Sequence, residues 1–170
     1  MSENITHILK ANEQYAKDFD DRSGLSNSPK RRLAVLTCMD ARIDPLRFLG
    51  LDLGDANIIR TGGGRASEDA IRSLVAAKTF LGTNEWIVIH HTECGFETFT
   101  QEEIGKILKD RFDTAEGDFI NWLTISDRVQ SVKDDVQHIR NHPLVSKDIK
   151  ISGYLVNTVT GKLTEVVSPE

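Results

Sequence analysis

Two short strings hold most of the chemistry in this chain. Thr37-Cys38-Met39-Asp40-Ala41-Arg42 follows one apolar run, and His90-His91-Thr92-Glu93-Cys94-Gly95 follows another. Two thiolates and an imidazole are good zinc ligands, and three protein ligands leave the fourth tetrahedral position for water, as in catalytic rather than structural sites. Cys38, His91 and Cys94 are therefore a candidate metal set if the fold brings the strings together. The same residues also allow two small, buried, apolar cysteines. A four-ligand structural site would need another donor, and His90 is expected on the opposite face of its strand. Asp40 and Arg42 alternate with Cys38 and can share its side of an extended loop. An Asp beside an Arg stays ionised and is oriented by the guanidinium's paired donors. Such an Asp can bind a zinc or accept a hydrogen bond from its water; alone, the pair would read as a structural ion pair.

A third string, Arg60-Thr61-Gly62-Gly63-Gly64-Arg65, carries three consecutive glycines. Gly62, Gly63 and Gly64 let the backbone approach a ligand closely, and their amides can line an anion or substrate pocket. The alternative is a tight strand-to-helix turn, and neither nucleotide-loop pattern fits. His138 and His142, one helical turn apart beside Pro143, read as a solvated pair, as does His7. Phe96, Phe99 and Phe112 read as core or interface, and Phe96 is close enough to Cys94 to help shape an apolar pocket.

Residues 33–36, 57–59, 86–89 and 149–156 are short runs apolar on both faces and separated by helical patterns, as in buried parallel strands. Helical spacing predicts helices over 4–19, 69–81 (stopped by Gly82), 101–112, and from an N-cap at Ser126 to a stop at His142-Pro143. Residues 155–156 and 163–167 flank a turn containing Gly161 and predict a hairpin. The expected fold is α/β: a mostly parallel sheet of four strands plus an antiparallel edge strand, with helices on both faces. Residues 1–170 read as one domain, of which 1–32 form an N-terminal helical arm and loop. The arm can dock on a partner subunit or on its own domain. In such sheets, sites form beyond the carboxyl ends of strands where the strand order switches.

The 170 residues carry a net charge of -5. No basic excess is available for nucleic acid or an anionic membrane. With 39% hydrophobic and 28% charged residues the composition is globular. No apolar run approaches the ~20 residues of a membrane span. The first residues lack the pattern of a secretory signal, so a cytoplasmic location is expected. Two cysteines make no disulfide scaffold and suit reduced thiols with a chemical task.

Cys-x-Asp-x-Arg at Cys38, Asp40 and Arg42, with His-x-x-Cys-Gly at His91, Cys94 and Gly95, resembles the β-class carbonic anhydrases, in their short, prokaryote-like branch that also includes carbonyl sulfide hydrolases. Ala41-Arg42-Ile43-Asp44, Asp69-Ala70-Ile71-Arg72-Ser73-Leu74, Phe99-Thr100 and Thr160-Gly161-Lys162-Leu163 extend the resemblance in order and spacing. It implies one Zn2+ per chain on Cys38, His91 and Cys94, and an Asp40–Arg42 dyad that engages the zinc-bound water or, in a closed form, releases Asp40 onto the metal. It also implies a homodimer or higher assembly with the N-terminal helix embracing its neighbour. The implied reaction is reversible hydration of carbon dioxide. Alternatives are hydrolysis of carbonyl sulfide, then of carbon disulfide, and a non-catalytic zinc module, against which the Asp40–Arg42 pair speaks. Two departures stand out. The family usually reads Arg-Asn-Ala-Gly-Gly where this chain has Arg60-Thr61-Gly62-Gly63-Gly64, and Glu93 replaces the more usual Asp.

Overall fold

A computed structural model describes residues 1–19 and 22–169. Residues 20 and 21 of the expected 20–32 loop, and residue 170, lie outside the described residues. Five strands, β1 (Leu33–Cys38), β2 (Ala56–Thr61), β3 (Glu85–His91), β4 (Lys150–Val156) and β5 (Leu163–Val167), form a single sheet in the order β2-β1-β3-β4-β5. All pairings are parallel except the antiparallel β4–β5 hairpin. The chain leaves β1 for β2 on one side, then returns to place β3 on β1's other side. The order therefore switches between β1 and β3, and both strings of candidate residues follow the carboxyl ends of those two strands.

The helices are α1 (Glu3–Lys17), α2 (Pro45–Leu49), α3 (Glu68–Leu81), α4 (Gln101–Phe112) and α5 (Arg128–Asn141). α3 packs on β1 and β2, and α5 on β3, β4 and β5. They bury Leu36, Ile71, Leu74, Trp86, Val88, Val132, Val136 and Ile139 on one face of the sheet. The Trp86 indole N–H donates to Thr83 Oγ1 at 2.9 Å, so the ring enters this core with its polar atom satisfied. The opposite face buries a smaller cluster, Val35, Cys38, Ile43, Ile89, Cys94, Ile125 and Val156, with Phe48 and Leu49 of α2 packed against it. The expected helices on both faces are thus α3 and α5 on one and the short α2 on the other.

Local chemistry explains the boundaries. α3 starts at Ser67, whose side chain accepts from Ala70 N, and stops at Gly82 in the left-handed region (φ 74°). α4 begins with a reciprocal capping box between Thr100 and Glu103. α5 is capped by Asp127 rather than the expected Ser126, because the carboxylate reaches both Val129 N and Gln130 N. α2 was not legible in the pattern: five residues cannot display a helical period. α1 is amphipathic but none of its residues is buried, and Ile5, Ile8, Leu9 and Tyr15 are each about half exposed.

Candidate active site

Cys38 is the last residue of β1 and His91 the last of β3, while Cys94 opens the tight turn Gly95–Glu97 beyond β3. All three are buried. The two sulfurs lie 4.0 Å apart, and the three donor atoms lie within 4.8 Å of one another. Among the described residues this is the one group of three or more His, Cys, Asp or Glu side chains able to hold a metal ion. His138 and His142 meet edge to face, with ring centroids 6.5 Å apart, and no further donor joins them.

The hydrogen bonding of His91 matches what a ligand needs. Its Nδ1 faces the Thr92 carbonyl at 2.9 Å, and since a carbonyl can only accept, Nδ1 carries the proton. Nε2 then presents a lone pair, buried and without a hydrogen-bond partner. Tetrahedral zinc with Zn–S bonds of ~2.3 Å places two thiolates about 3.8 Å apart, close to the spacing here. The donor set fits zinc. The Cys94 contact holds Cys38 down at about 4, below the usual thiol range, and the same contact, with burial, pushes Cys94 up. For His91, burial opposes the charged form, but contacts with Cys38 and the Thr92 carbonyl raise its pKa above the ordinary value.

Asp40 sits beside this group, with Oδ2 3.8 Å from His91 Nε2. Arg42 grips it in a fork: Nε donates to Oδ1 at 3.0 Å, Nη2 to Oδ2 at 2.8 Å, and the Arg42 backbone N–H adds a bond to Oδ1 at 2.9 Å. These bonds, the guanidinium's first, hold the Asp40 carboxyl well below the usual carboxylate range. Asp40 is therefore ionised and engaged with Arg42.

Gly62–Gly64 form a tight turn directly after β2. Gly64 has φ 71°, and a Cβ on it would stand 3.0 Å from both Cys38 N and Ile89 O. The turn thus lies against the backbones of β1 and β3, which only glycine permits. A Cβ on Gly62 would overlap the tip of the Phe96 ring. Phe96 also meets Phe99 at a tilt, with ring centroids 5.4 Å apart, and packs against the cluster that contains both cysteines.

Several positioning residues escaped the residue pattern. Arg60 donates from Nε to Cys38 O at 2.9 Å and from Nη2 to Asp40 O at 2.7 Å, pinning the backbone of the first string. Its position at the end of β2 was the available signal, but the target depends on strand register. Arg65 forms a buried bidentate pair with Asp135 at 2.8 and 3.1 Å, and its Nη1 donates to Leu123 O and Thr124 O. His90 points away from the donor set, as period-two alternation requires, into this same layer. Its Nε2 lies 3.1 Å from Asp135 Oδ2 and its Nδ1 2.9 Å from Ser131 Oγ. Burial pushes the Asp135 carboxyl up, but the His90 and Arg65 hydrogen bonds outweigh it and hold the group below its ordinary value.

A profile of the carbonic anhydrase family matches residues 33–163. Beta-carbonic anhydrase 1 of Mycobacterium tuberculosis is 36% identical over 160 residues, which cover 93% of this chain and 94% of that protein. The carbon disulfide hydrolase of Acidianus sp. is 37% identical over 185 residues, covering 96% of this chain and 89% of that protein. The solved carbonic anhydrase from Glaciozyma antarctica superposes with a TM-score of 0.91 at 42% identity, covering 98% of this chain and all of that one. With the family profile spanning most of the chain and both motifs in place at the strand switch, this protein belongs to the β-carbonic anhydrase family, whose relatives include carbon disulfide hydrolases.

Proposed function

We propose that this protein is a zinc enzyme that hydrates carbon dioxide reversibly to bicarbonate. The observation that carries the reading is the buried, unpartnered His91 Nε2 facing two thiols, with an ionised Asp40 fixed alongside. Cys38, His91 and Cys94 would hold the metal. When bound, zinc lowers the pKa of a coordinated water from ~15.7 to about 7, making a nucleophile available near neutral pH. Asp40 has no proton to give at this pH, so its carboxylate accepts a hydrogen bond from the attacking water and orients it. Arg42 holds the carboxylate in that role. The Gly62–Gly64 turn, backed against Cys38, borders the pocket with Phe96, and these apolar surfaces suit a small uncharged substrate.

A second reading is hydrolysis of a sulfur analogue, carbonyl sulfide or carbon disulfide. It draws support from the Acidianus relative, as similar to this chain as the mycobacterial one, and from the apolar Phe96–Gly62 contact. All these substrates are linear with an electrophilic carbon. The deciding measurement is kcat/KM for carbon dioxide, carbonyl sulfide and carbon disulfide on one zinc-loaded preparation. The carbon dioxide value is expected to be highest; a sulfur substrate well above it would reassign the enzyme, and turnover of none would leave a non-catalytic zinc module.

The same proposal includes a homodimer or larger assembly, because the half-exposed Ile5, Ile8, Leu9 and Tyr15 of α1 need an apolar surface that a second copy supplies. A cytoplasmic setting, where thiols stay reduced, suits Cys38 and Cys94. No helix among the described residues is long and apolar enough to cross a membrane.

A further inference from the structure

We propose that Glu93 is a positioning residue that holds Arg42 on Asp40, and that its left-handed backbone is retained for this task. The inference rests on the reading above that Asp40 orients the attacking water. Glu93 has φ 56°, a region that disfavours side chains other than Gly, Asn and Asp. Such outliers persist where the surroundings demand them. Here the demand comes from Arg42. In this conformation the Glu93 carbonyl accepts from Arg42 Nη2 at 2.8 Å, and the Glu93 carboxylate lies 3.4 Å from Nη1. The same carboxylate accepts from Thr158 Oγ1 at 3.1 Å, and Thr158 N donates to Thr92 Oγ1 at 3.0 Å. Glu93 thereby ties the guanidinium to the end of β4 as well as to its own loop.

Arg42 needs that tie. Its side chain is 51% exposed, and the Asp40 carboxylate it grips sits on the same short loop, which Arg60 pins only through the Cys38 and Asp40 main-chain carbonyls. Glu93 supplies an anchor from the neighbouring strand end. Its side chain is 62% exposed, so the core gains little from its presence. A residue required only by the turn before Cys94 would be Gly or Asn. The Glu93 carboxylate stands between Arg42 Nη1 at 3.4 Å and Thr158 Oγ1 at 3.1 Å and bridges the two.

The test uses zinc-loaded Glu93→Asn and Glu93→Gln. Asn tolerates the left-handed backbone and keeps the main-chain carbonyl on Arg42 Nη2 but removes the carboxylate from Nη1 and Thr158; Gln keeps the side-chain length and an acceptor oxygen but lacks the charge. Two readouts are made: the exchange rate of the Arg42 Nε–H in 15N NMR, assigned with Arg42→Lys, and kcat and KM for carbon dioxide. In Glu93→Asn the Nε–H is expected to exchange faster than in wild type. Its kcat should fall roughly two- to fivefold, the scale of one exposed ion pair, with KM and zinc content unchanged and Tm unchanged or higher. Glu93→Gln should lie between. An Nε–H as protected in Glu93→Asn as in wild type overturns the proposal. So does a fall in Tm that parallels the fall in kcat with Gln no better than Asn, since that marks a merely structural residue. If wild type turns over no carbon dioxide, the functional reading fails, and the Nε–H exchange still decides whether Glu93 locks Arg42.

Discussion

Removing the Arg65 guanidinium should expose how firmly the layer behind the site is held. In Arg65→Met the aliphatic stem is kept and the charge lost. The Arg65 and Asp135 side chains are 11% and 5% exposed, so the variant leaves a buried carboxylate with the His90 ring still beside it at 3.1 Å. Breaking a buried pair by removing one partner costs about 3–5 kcal/mol. At ~2–4 °C per kcal/mol for a chain of this size, the expected fall in Tm is about 6–20 °C. That is a large share of a typical total stability of ~5–15 kcal/mol. The pH dependence adds a second signature. In wild type the Asp135 pKa is depressed, so its stabilisation is present above the ordinary carboxylate range and is lost as pH falls through the lower folded value. In the variant the Arg65 contribution is gone while burial, the largest single influence, still raises the group against the His90 hydrogen bond, so the folded pKa should rise relative to wild type. The stabilisation present above the carboxylate range then shrinks, and the deficit of the variant should narrow as pH falls toward that range. Scanning calorimetry at matched protein concentration measures both. A Tm at neutral pH within ~2 °C of wild type, or a pH slope parallel to wild type, would refute the reasoning.

Other outcomes are equally open to measurement. Cys38→Ala, His91→Ala and Cys94→Ala should each lose zinc and activity together, so full metal content in Cys94→Ala would sink the ligand assignment. Asp40→Asn should keep its zinc and lose about 10²–10⁴-fold in kcat, the range of a general-base or orienting group; a wild-type rate would make the Asp40–Arg42 pair purely structural. Gly62→Ala should push the Phe96 ring off the turn and change the ratio of carbonyl sulfide to carbon dioxide turnover, and a crystal structure with the ring unmoved would contradict the contact described. Light scattering should report at least a dimer at micromolar concentration, and a monomer would leave the apolar face of α1 unexplained.

What could be seen in the residues follows from where the physics is local. β1 and β3 stood out because burial on both faces makes them continuously apolar. β2, an edge strand, showed only its middle run at Asn57-Ile58-Ile59. The grouping of Cys38, His91 and Cys94 was legible because thiols are rare in the chain and each stands at or just beyond a strand end. α2 left only its punctuation, the Asp44-Pro45 start and Gly50, the last in the left-handed region. The Arg65–Asp135 pair could not be seen, since its partners are 70 residues apart and meet only after α5 docks on the sheet. The glycine string was legible as a turn, but its cause, contact with the Cys38 and Ile89 backbones, depends on β1–β3 pairing.

The adjacent histidines at the end of β3 create an ambiguity that ligand chemistry cannot resolve. A slip of β3 by one residue would bring His90 to the donor set in place of His91, and an imidazole would still be offered to the metal. The penalty falls on the far side of the sheet. There the slip would withdraw His90 from Ser131 and Asp135 and turn Trp86 and Val88 out of the core beneath α3 and α5. The buried polar layer thus acts as a proofreader of strand alignment for a candidate metal site it never touches.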